Sequence, residues 1–342
     1  MLEYDREIRR DDHMSVEIAD RLRCHCSKCI DFHAHFLRRE VFEESHPHSV
    51  SSCFGENMLS PELPSFQRMF RPEMQIEDMD ARGIDVNILT SCDVVQSRAW
   101  ATPDSERRMT RLVNDECARW VDAHPHRFIG TVVVPLGDMR MALDEIEWAA
   151  SAGFRIIQLP SNYRGEYLGA ARFTDLLSAI EDRGMIVFIH PEGVTDMWFQ
   201  QYALWNSIGQ SIEEVRVMSS LIYEGVMDRL PGLKIVMAHG GGYMPHYMGR
   251  LDRNVTDKPY TTKNIRKKPS EYLTDFYYDS CVYDPRTLEL LVERVGIDRV
   301  VLGGDYPVAA LDPIDFLAST ALTEADQAKI AGGNAATLLD IA

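Results

Sequence analysis

Five side chains of this sequence join metal-binding chemistry to positions from which they can converge: His33, His35, His190, His239 and Asp305. They lie in Asp31-Phe32-His33-Ala34-His35, His190-Pro191, His239-Gly240-Gly241-Gly242 and Asp305-Tyr306-Pro307. Each group falls where an apolar, β-branched run stops: Cys29-Ile30, Met185 to Ile189, Lys234 to Ala238 and Arg299 to Leu302. Imidazoles and a carboxylate at strand C-termini are what a catalytic divalent-metal site needs. His33 and His35, at i and i+2 on one strand, point to the same face and can grip one ion together. Three imidazoles and one carboxylate, with a position open for water or substrate, suit zinc and would tolerate manganese or cobalt. A fourth imidazole is then free to act as general acid or base. Residue types alone do not say which histidine that is.

Those residues need a scaffold that brings strand ends together. Strand-like runs occur at Cys29–His33, Asp85–Thr90, Phe128–Pro135, Arg155–Leu159, Met185–His190, Lys234–His239, Phe276–Asp279 and Arg299–Gly303. Helical patterns separate them at Met74–Arg82, Ser105–Ala123, Met139–Ala152, Thr174–Arg183, Ile212–Arg229, Pro285–Arg294 and Thr323–Leu339. Gly153, Gly184 and Gly296 follow three of these as left-handed C-caps would. The alternation predicts an α/β fold, a (β/α)8 TIM barrel, in which the strand C-termini surround one cavity. Residues 1–28 form an N-terminal arm, and 29–342 the metal-dependent barrel. Residues 36–72 are a long insertion after strand one that rises from the catalytic face and should cover the site.

Composition narrows the partners. The 342 residues carry 45% apolar and 26% charged side chains, as a soluble globular chain does, with net charge −17. That acidity argues against nucleic acid or an anionic membrane, but not against a small anionic organic substrate met by local arginines. No apolar stretch approaches the roughly 20 residues that span a bilayer. Met1 to Asp12 is charged and lacks the apolar core of a secretory signal, and seven cysteines is an odd number. Both point to a cytoplasmic protein with free thiols.

Other groupings carry less. Cys24, Cys26 and Cys29 with His25 invite a zinc-knuckle reading, but the paired ligand spacing of such sites is missing. His46-Pro47-His48 is either a second metal pair or a solvated loop. Asp93, after Ser91-Cys92 at the second strand's end, points toward the cavity mouth, where it could contact substrate. Asp279, Ser280 and Cys281 end strand seven, as pocket lining or as barrel packing. Trp100, Trp198 and Trp205 suit a lid, an interface or the core. Gly240-Gly241-Gly242 lacks the Lys-Ser/Thr of a phosphate loop, so its glycines more simply let backbone approach the metal site.

Asp-Phe-His-Ala-His, His-Pro, Ala-His-Gly-Gly-Gly with Gly249-Arg250, and Leu-Gly-Gly-Asp-Tyr-Pro together resemble the amidohydrolase superfamily. More narrowly they resemble its aminocarboxymuconate-semialdehyde decarboxylase branch. The likeness runs from about Ile30 to the carboxy terminus and takes in Glu77-Asp78-Met79-Asp80 and Pro269-Ser270-Glu271-Tyr272. It implies one divalent metal, most often zinc, on His33, His35, His190 and Asp305, with His239 as an acid/base group off the metal. It also implies that Arg250 reaches into a neighbouring subunit to hold a substrate carboxylate, in a homodimer or larger homo-oligomer. Two departures bear on substrate. Glu192 stands where the branch has tryptophan after His-Pro, and the branch's second carboxylate-binding arginine has no match, since Arg68 and Arg71 are wrongly spaced.

The expected activity is therefore a metal-dependent decarboxylase, a carbon–carbon lyase, acting on a small aromatic or unsaturated carboxylic acid. His239 and Asp305 would carry the proton, and Arg250, Glu192 and Asp93 would line the substrate. The same site would serve a hydrolase of a lactone, amide or ring-cleavage product. The unbroken five-residue set stands against a barrel kept only for binding.

Overall fold

The strands owe their parallel order to the helices between them, because each crossover returns the chain to the same end of the sheet. The computed structural model describes residues 12–48, 62–92, 98–194, 196–309 and 311–341. Eight parallel strands pair in chain order: β1 (Ile30–Phe36), β2 (Val86–Ser91), β3 (Phe128–Val133), β4 (Ile156–Pro160), β5 (Ile186–His190), β6 (Lys234–Met237), β7 (Tyr277–Asp279) and β8 (Val300–Val301). The segment around β8 closes onto β1, with Phe32 N donating to Leu302 O at 2.8 Å and His35 N to Tyr306 O at 2.6 Å. The result is the (β/α)8 barrel that the sequence predicts.

Helices α1 (Asp12–Cys26), α2 (Arg39–Ser45), α3 (Pro64–Phe70), α4 (Pro72–Arg82), α5 (Pro103–Ala123) and α6 (Met139–Ser151) occupy the first half. Helices α7 (Thr174–Asp182), α8 (Gln210–Tyr223), α9 (Met248–Asp257) and α10 (Pro285–Val295) follow in the second. Alternate strand residues divide between two apolar layers. Ile30, Phe32, Ile88, Ile156, Ile186, Phe188, Val236 and Val301 fill the barrel, and Ala335, Leu338 and Leu339 join them. Leu89, Ile157, Leu159, Val187, Ile189, Ile235 and Met237 face the helices instead. Below the catalytic end the interior is thus a packed core, so polar groups can collect only at the mouth.

Three differences from the sequence expectation have local causes. Strand β1 runs on to Phe36 because its pairing with β2 shifts register between Asp31 and Ala34. The helix expected over Ile212–Arg229 breaks at Gly225, whose φ is +73°, and resumes at Val226–Arg229. The helix expected over Thr323–Leu339 widens into a π-turn at Lys329–Gly333, where Gly332 lies against the Lys28 carbonyl. The expected C-caps Gly153, Gly184 and Gly296 all have positive φ.

Helix α1 packs on α4 and on Pro313–Ala318 and Glu324–Ala328, burying Ile18, Ala19 and Leu22. In the insertion, Leu37, Phe42, Phe66 and Met69 form a small core of their own. His48 stacks on Trp100 with ring centroids 4.0 Å apart, and His46 lies 5.2 Å from Phe42. Neither joins a metal-ligating group among the described residues. The cysteine-knuckle reading fares likewise: Cys24 is exposed, and Cys26 Sγ donates to Lys28 O at 3.3 Å. No helix among the described residues is long and apolar enough to cross a membrane.

Candidate metal centre

The register shift in β1 solves a placement problem. Ile30 and Phe32 already face the barrel interior, so strict alternation would turn His33 and His35 outward. A bulge resets the phase, and both imidazoles enter the mouth. His190 ends β5, and Asp305 follows β8. One ligand atom from each of His33, His35, His190 and Asp305 lies within 4.8 Å of every other, and all four residues are buried.

Three of the donor atoms are spaced as neighbouring ligands of one ion would be. His33 and His35 are 3.2 Å apart at their Nε2 atoms, His35 Nε2 is 3.0 Å from Asp305 Oδ1, and His33 Nε2 is 3.4 Å from the same oxygen. Neighbouring ligands at bond lengths near 2.05 Å around a tetrahedral ion stand about 3.3 Å apart. The other ring nitrogens are already engaged. Nδ1 of His33 meets Asp279 Oδ2 at 2.7 Å, that of His35 meets Thr90 Oγ1 at 3.1 Å, and that of His190 meets Pro191 O at 3.2 Å. Such outer contacts fix tautomer and ring orientation, leaving each Nε2 lone pair for the metal.

His239 stands beside this group. Its ring centroid is 5.3 Å from those of His33 and His190, and its Nε2 is 3.8 Å from Asp305 Oδ2. Both His239 and Asp305 have φ of +48°, a left-handed conformation costing about 1–2 kcal/mol in a non-glycine residue. Buried carboxylates brace that strain. Asp31 Oδ1 accepts from His33 N and Gly304 N, each at 2.9 Å, and Asp279 Oδ1 accepts from Gly240 N and Cys281 N, each at 3.1 Å.

Burial and charge set the protonation pattern. Desolvation pushes Asp31 up to about 7 against the pull of its two backbone donors. Burial raises Asp279 too, but its bond to His33, the charges of His33 and His239 and the Cys281 N–H together outweigh that and hold it below the ordinary carboxylate value. For His239, burial disfavours the cation, yet the charges of Glu214 and Asp305 carry its pKa well above the usual imidazole value. Both carboxylates favour a proton on His239, one on each side of its ring.

The structure brings together five of the eight expected site residues. Glu192 is buried just past His190, its backbone N donating to Ser161 Oγ at 3.0 Å. Asp93 lies outside the described residues. Arg250 is not gathered into the cluster. It is exposed on the first turn of α9 and lines a groove of about 610 Å³ with Tyr243, His246 and Tyr247. Its neighbour Asp252 binds Ser270 instead, through Ser270 Oγ at 2.6 Å.

Sequence reasoning missed the supporting shell. Asp31 sat inside the first motif, and Asp279 ended the seventh strand, so both were visible without an assigned task. Glu214, whose Oε1 lies 2.6 Å from His239 Nδ1, gave no signal beyond its place in a helix. Gln75 Nε2 donates to His35 O at 2.7 Å and was equally silent.

Comparison with known proteins gives concordant results. The Amidohydrolase family profile matches residues 30–341. The 2-amino-3-carboxymuconate-6-semialdehyde decarboxylase of Dictyostelium discoideum is 31% identical over 276 residues, covering 79% of this chain and 77% of the relative. The gamma-resorcylate decarboxylase of Polaromonas sp. strain JS666 is 26% identical over 290 residues, covering 79% of this chain and 87% of the relative. The crystal structure of 5-carboxyvanillate decarboxylase from Sphingomonas paucimobilis superposes with a TM-score of 0.83 at 26% identity, covering 92% of this chain and 99% of that one.

Proposed function

From the chain's membership of the amidohydrolase family, we propose that it is a metal-dependent decarboxylase acting on a small aromatic carboxylic acid. The observation that carries the reading is the group His33, His35, His190 and Asp305, with ligand atoms within 4.8 Å of one another and His239 Nε2 3.8 Å from Asp305 Oδ2. The names of the relatives, each a decarboxylase, support the same reaction. The three imidazoles and one carboxylate are the ligands, and the donor set favours zinc, with manganese and cobalt as substitutes. When bound, the ion supplies a positive charge that orients the acid and stabilises negative charge as carbon dioxide leaves.

The chain's own residues carry the proton. As the bond between ring carbon and carboxylate breaks, its electron pair stays on that carbon, which must then be protonated. His239 Nε2 offers the proton, directly or across Asp305 Oδ2, 3.8 Å away. Glu192, buried just past His190, lines the substrate. Arg250 is exposed in a groove whose lining includes none of its own subunit's metal group, which supports its serving the pocket of a second copy in a homodimer. Six free cysteines among the described residues accord with a reducing cytoplasm.

The test is a panel of hydroxylated and methoxylated benzoic acids and unsaturated dicarboxylic acids, given to protein loaded with zinc or manganese. Carbon dioxide released in equal amount with the decarboxylated product is the expected outcome. Acid released from lactones or amides without carbon dioxide would make the protein a hydrolase instead.

A further inference from the structure

Glu214 and Glu213 are adjacent in α8, yet they serve different partners. Glu213 is held by Ser161 Oγ at 3.0 Å, Asn162 Nδ2 at 2.8 Å, Tyr167 OH at 2.9 Å and Arg216 Nη1 at 2.9 Å. Glu214 has no solvent exposure, and among the described residues its carboxylate has a single hydrogen-bonding partner, the Nδ1 of His239 at 2.6 Å. Its second oxygen, Oε2, has no hydrogen-bond partner among the described residues. A buried carboxylate with one oxygen unsatisfied is a poor packing element, since an apolar side chain of similar volume would be more stable there.

Backbone is shaped around it as well. Gly242 has φ of +61°, and a β-carbon at that position would lie 2.5 Å from Glu214 Oε2 and 2.6 Å from Ser211 O. The third glycine of the His239-Gly240-Gly241-Gly242 run therefore leaves the space that the Glu214 carboxylate fills. A carboxylate seated at this cost, with one contact, is there for the residue it contacts.

We propose that Glu214 is a positioning residue for the reaction, clamping Nδ1 of His239 so that Nε2 faces Asp305 and the substrate. The clamp fixes which ring nitrogen keeps its proton. When Nε2 gives up its proton to the substrate carbon, the Nδ1–H stays on Glu214, and Nε2 is the only ring atom that solvent can reprotonate. Burial raises Glu214 to about 7 against the opposing pull of His239, the residue its carboxylate is bonded to. The inference rests on the reading of His239 as the acid/base group.

The test joins kinetics to a measurement that needs no turnover. Glu214→Gln keeps the side-chain shape and removes the charge. Its kcat should fall on the order of 10²-fold with KM changed less than about threefold, while metal content and thermal midpoint stay near wild type. In a His239→Ala background the same substitution should cost little, because residues that act through one another are not additive. Proton NMR of wild-type protein should show a strongly downfield Nδ1–H that is absent from His239→Ala and moves upfield in Glu214→Gln.

An unchanged kcat in folded Glu214→Gln overturns the proposal, as does a full additional loss in the His239→Ala background. If Glu214→Gln does not fold, the wild-type spectrum decides, and absence of the downfield proton overturns the clamp. Full turnover in His239→Ala alone would overturn the acid/base reading on which the clamp rests, and the spectrum would still report whether the contact exists.

Discussion

His33 Nδ1 and Asp279 Oδ2 lie 2.7 Å apart with neither side chain exposed, so the first strand of the barrel is tied to the seventh through a metal-facing imidazole. The contact does two things at once. It holds the proton of His33 on Nδ1, which keeps the Nε2 lone pair pointed at the cavity, and it gives the buried Asp279 carboxylate a hydrogen-bond donor. The other Asp279 oxygen accepts from Gly240 N, next to His239. One carboxylate therefore sets the orientation of the His33 ring and of the backbone next to His239.

Asp279→Asn should weaken metal binding by about 10–100-fold without removing a ligand. Asparagine can still accept from His33, but it cannot stabilise the ring as the carboxylate does. Competition against a chelator of known affinity measures the shift. Metal affinity equal to wild type would show that Asp279 serves packing alone.

Removing the metal should lower the thermal midpoint. An ion bound to the native state alone adds about 4 kcal/mol of stability at a thousandfold excess over its dissociation constant. Chelated wild-type protein should therefore melt earlier, and His33→Ala should melt at one temperature with or without zinc. A wild-type midpoint indifferent to metal would mean that the four converging side chains do not bind an ion tightly.

The eight strands were legible because each is a short β-branched run closed by a motif or a turn, and the five-residue set was legible because its members are rare types at strand ends. The bulge at Asp31–Ala34 was not, since it depends on pairing between β1 and β2 and leaves no trace in composition. Nor was Glu214. It lies in a helix whose pattern is amphipathic, and only the turn of α8 over the mouth places it against His239. Gly332 was invisible for the same reason, because its neighbour is a backbone carbonyl some 300 residues away in sequence.

That last contact yields a stability prediction. A β-carbon on Gly332 would collide with the Lys28 carbonyl oxygen, which is backbone and cannot swing aside, whereas one on Gly249 would meet nothing within 4 Å. Gly332→Ala should cost at least about 1–3 kcal/mol, as overpacked core sites do. Gly249→Ala, on the exposed start of α9, should be neutral or stabilise by roughly 0.4–1 kcal/mol. Urea melts of the two variants give the comparison, and equal midpoints would contradict the packing at the π-turn.

Arg250 supplies the test of assembly. Its exposed guanidinium lines a groove with Tyr243 and Tyr247, which are 51% and 65% exposed in the single chain, and tyrosine and arginine are enriched where subunits meet. A planar guanidinium also matches a carboxylate in a way that lysine cannot. If Arg250 completes a partner's pocket, Arg250→Ala and His239→Ala homodimers should each be nearly inactive. Mixing them should restore roughly a quarter of wild-type activity, because about half of random dimers are mixed and each has one of its two sites whole. Size analysis with differently tagged chains verifies that subunits have exchanged. Exchange without recovered activity would confine Arg250 to its own subunit's surface, and the substrate carboxylate would then need another cation.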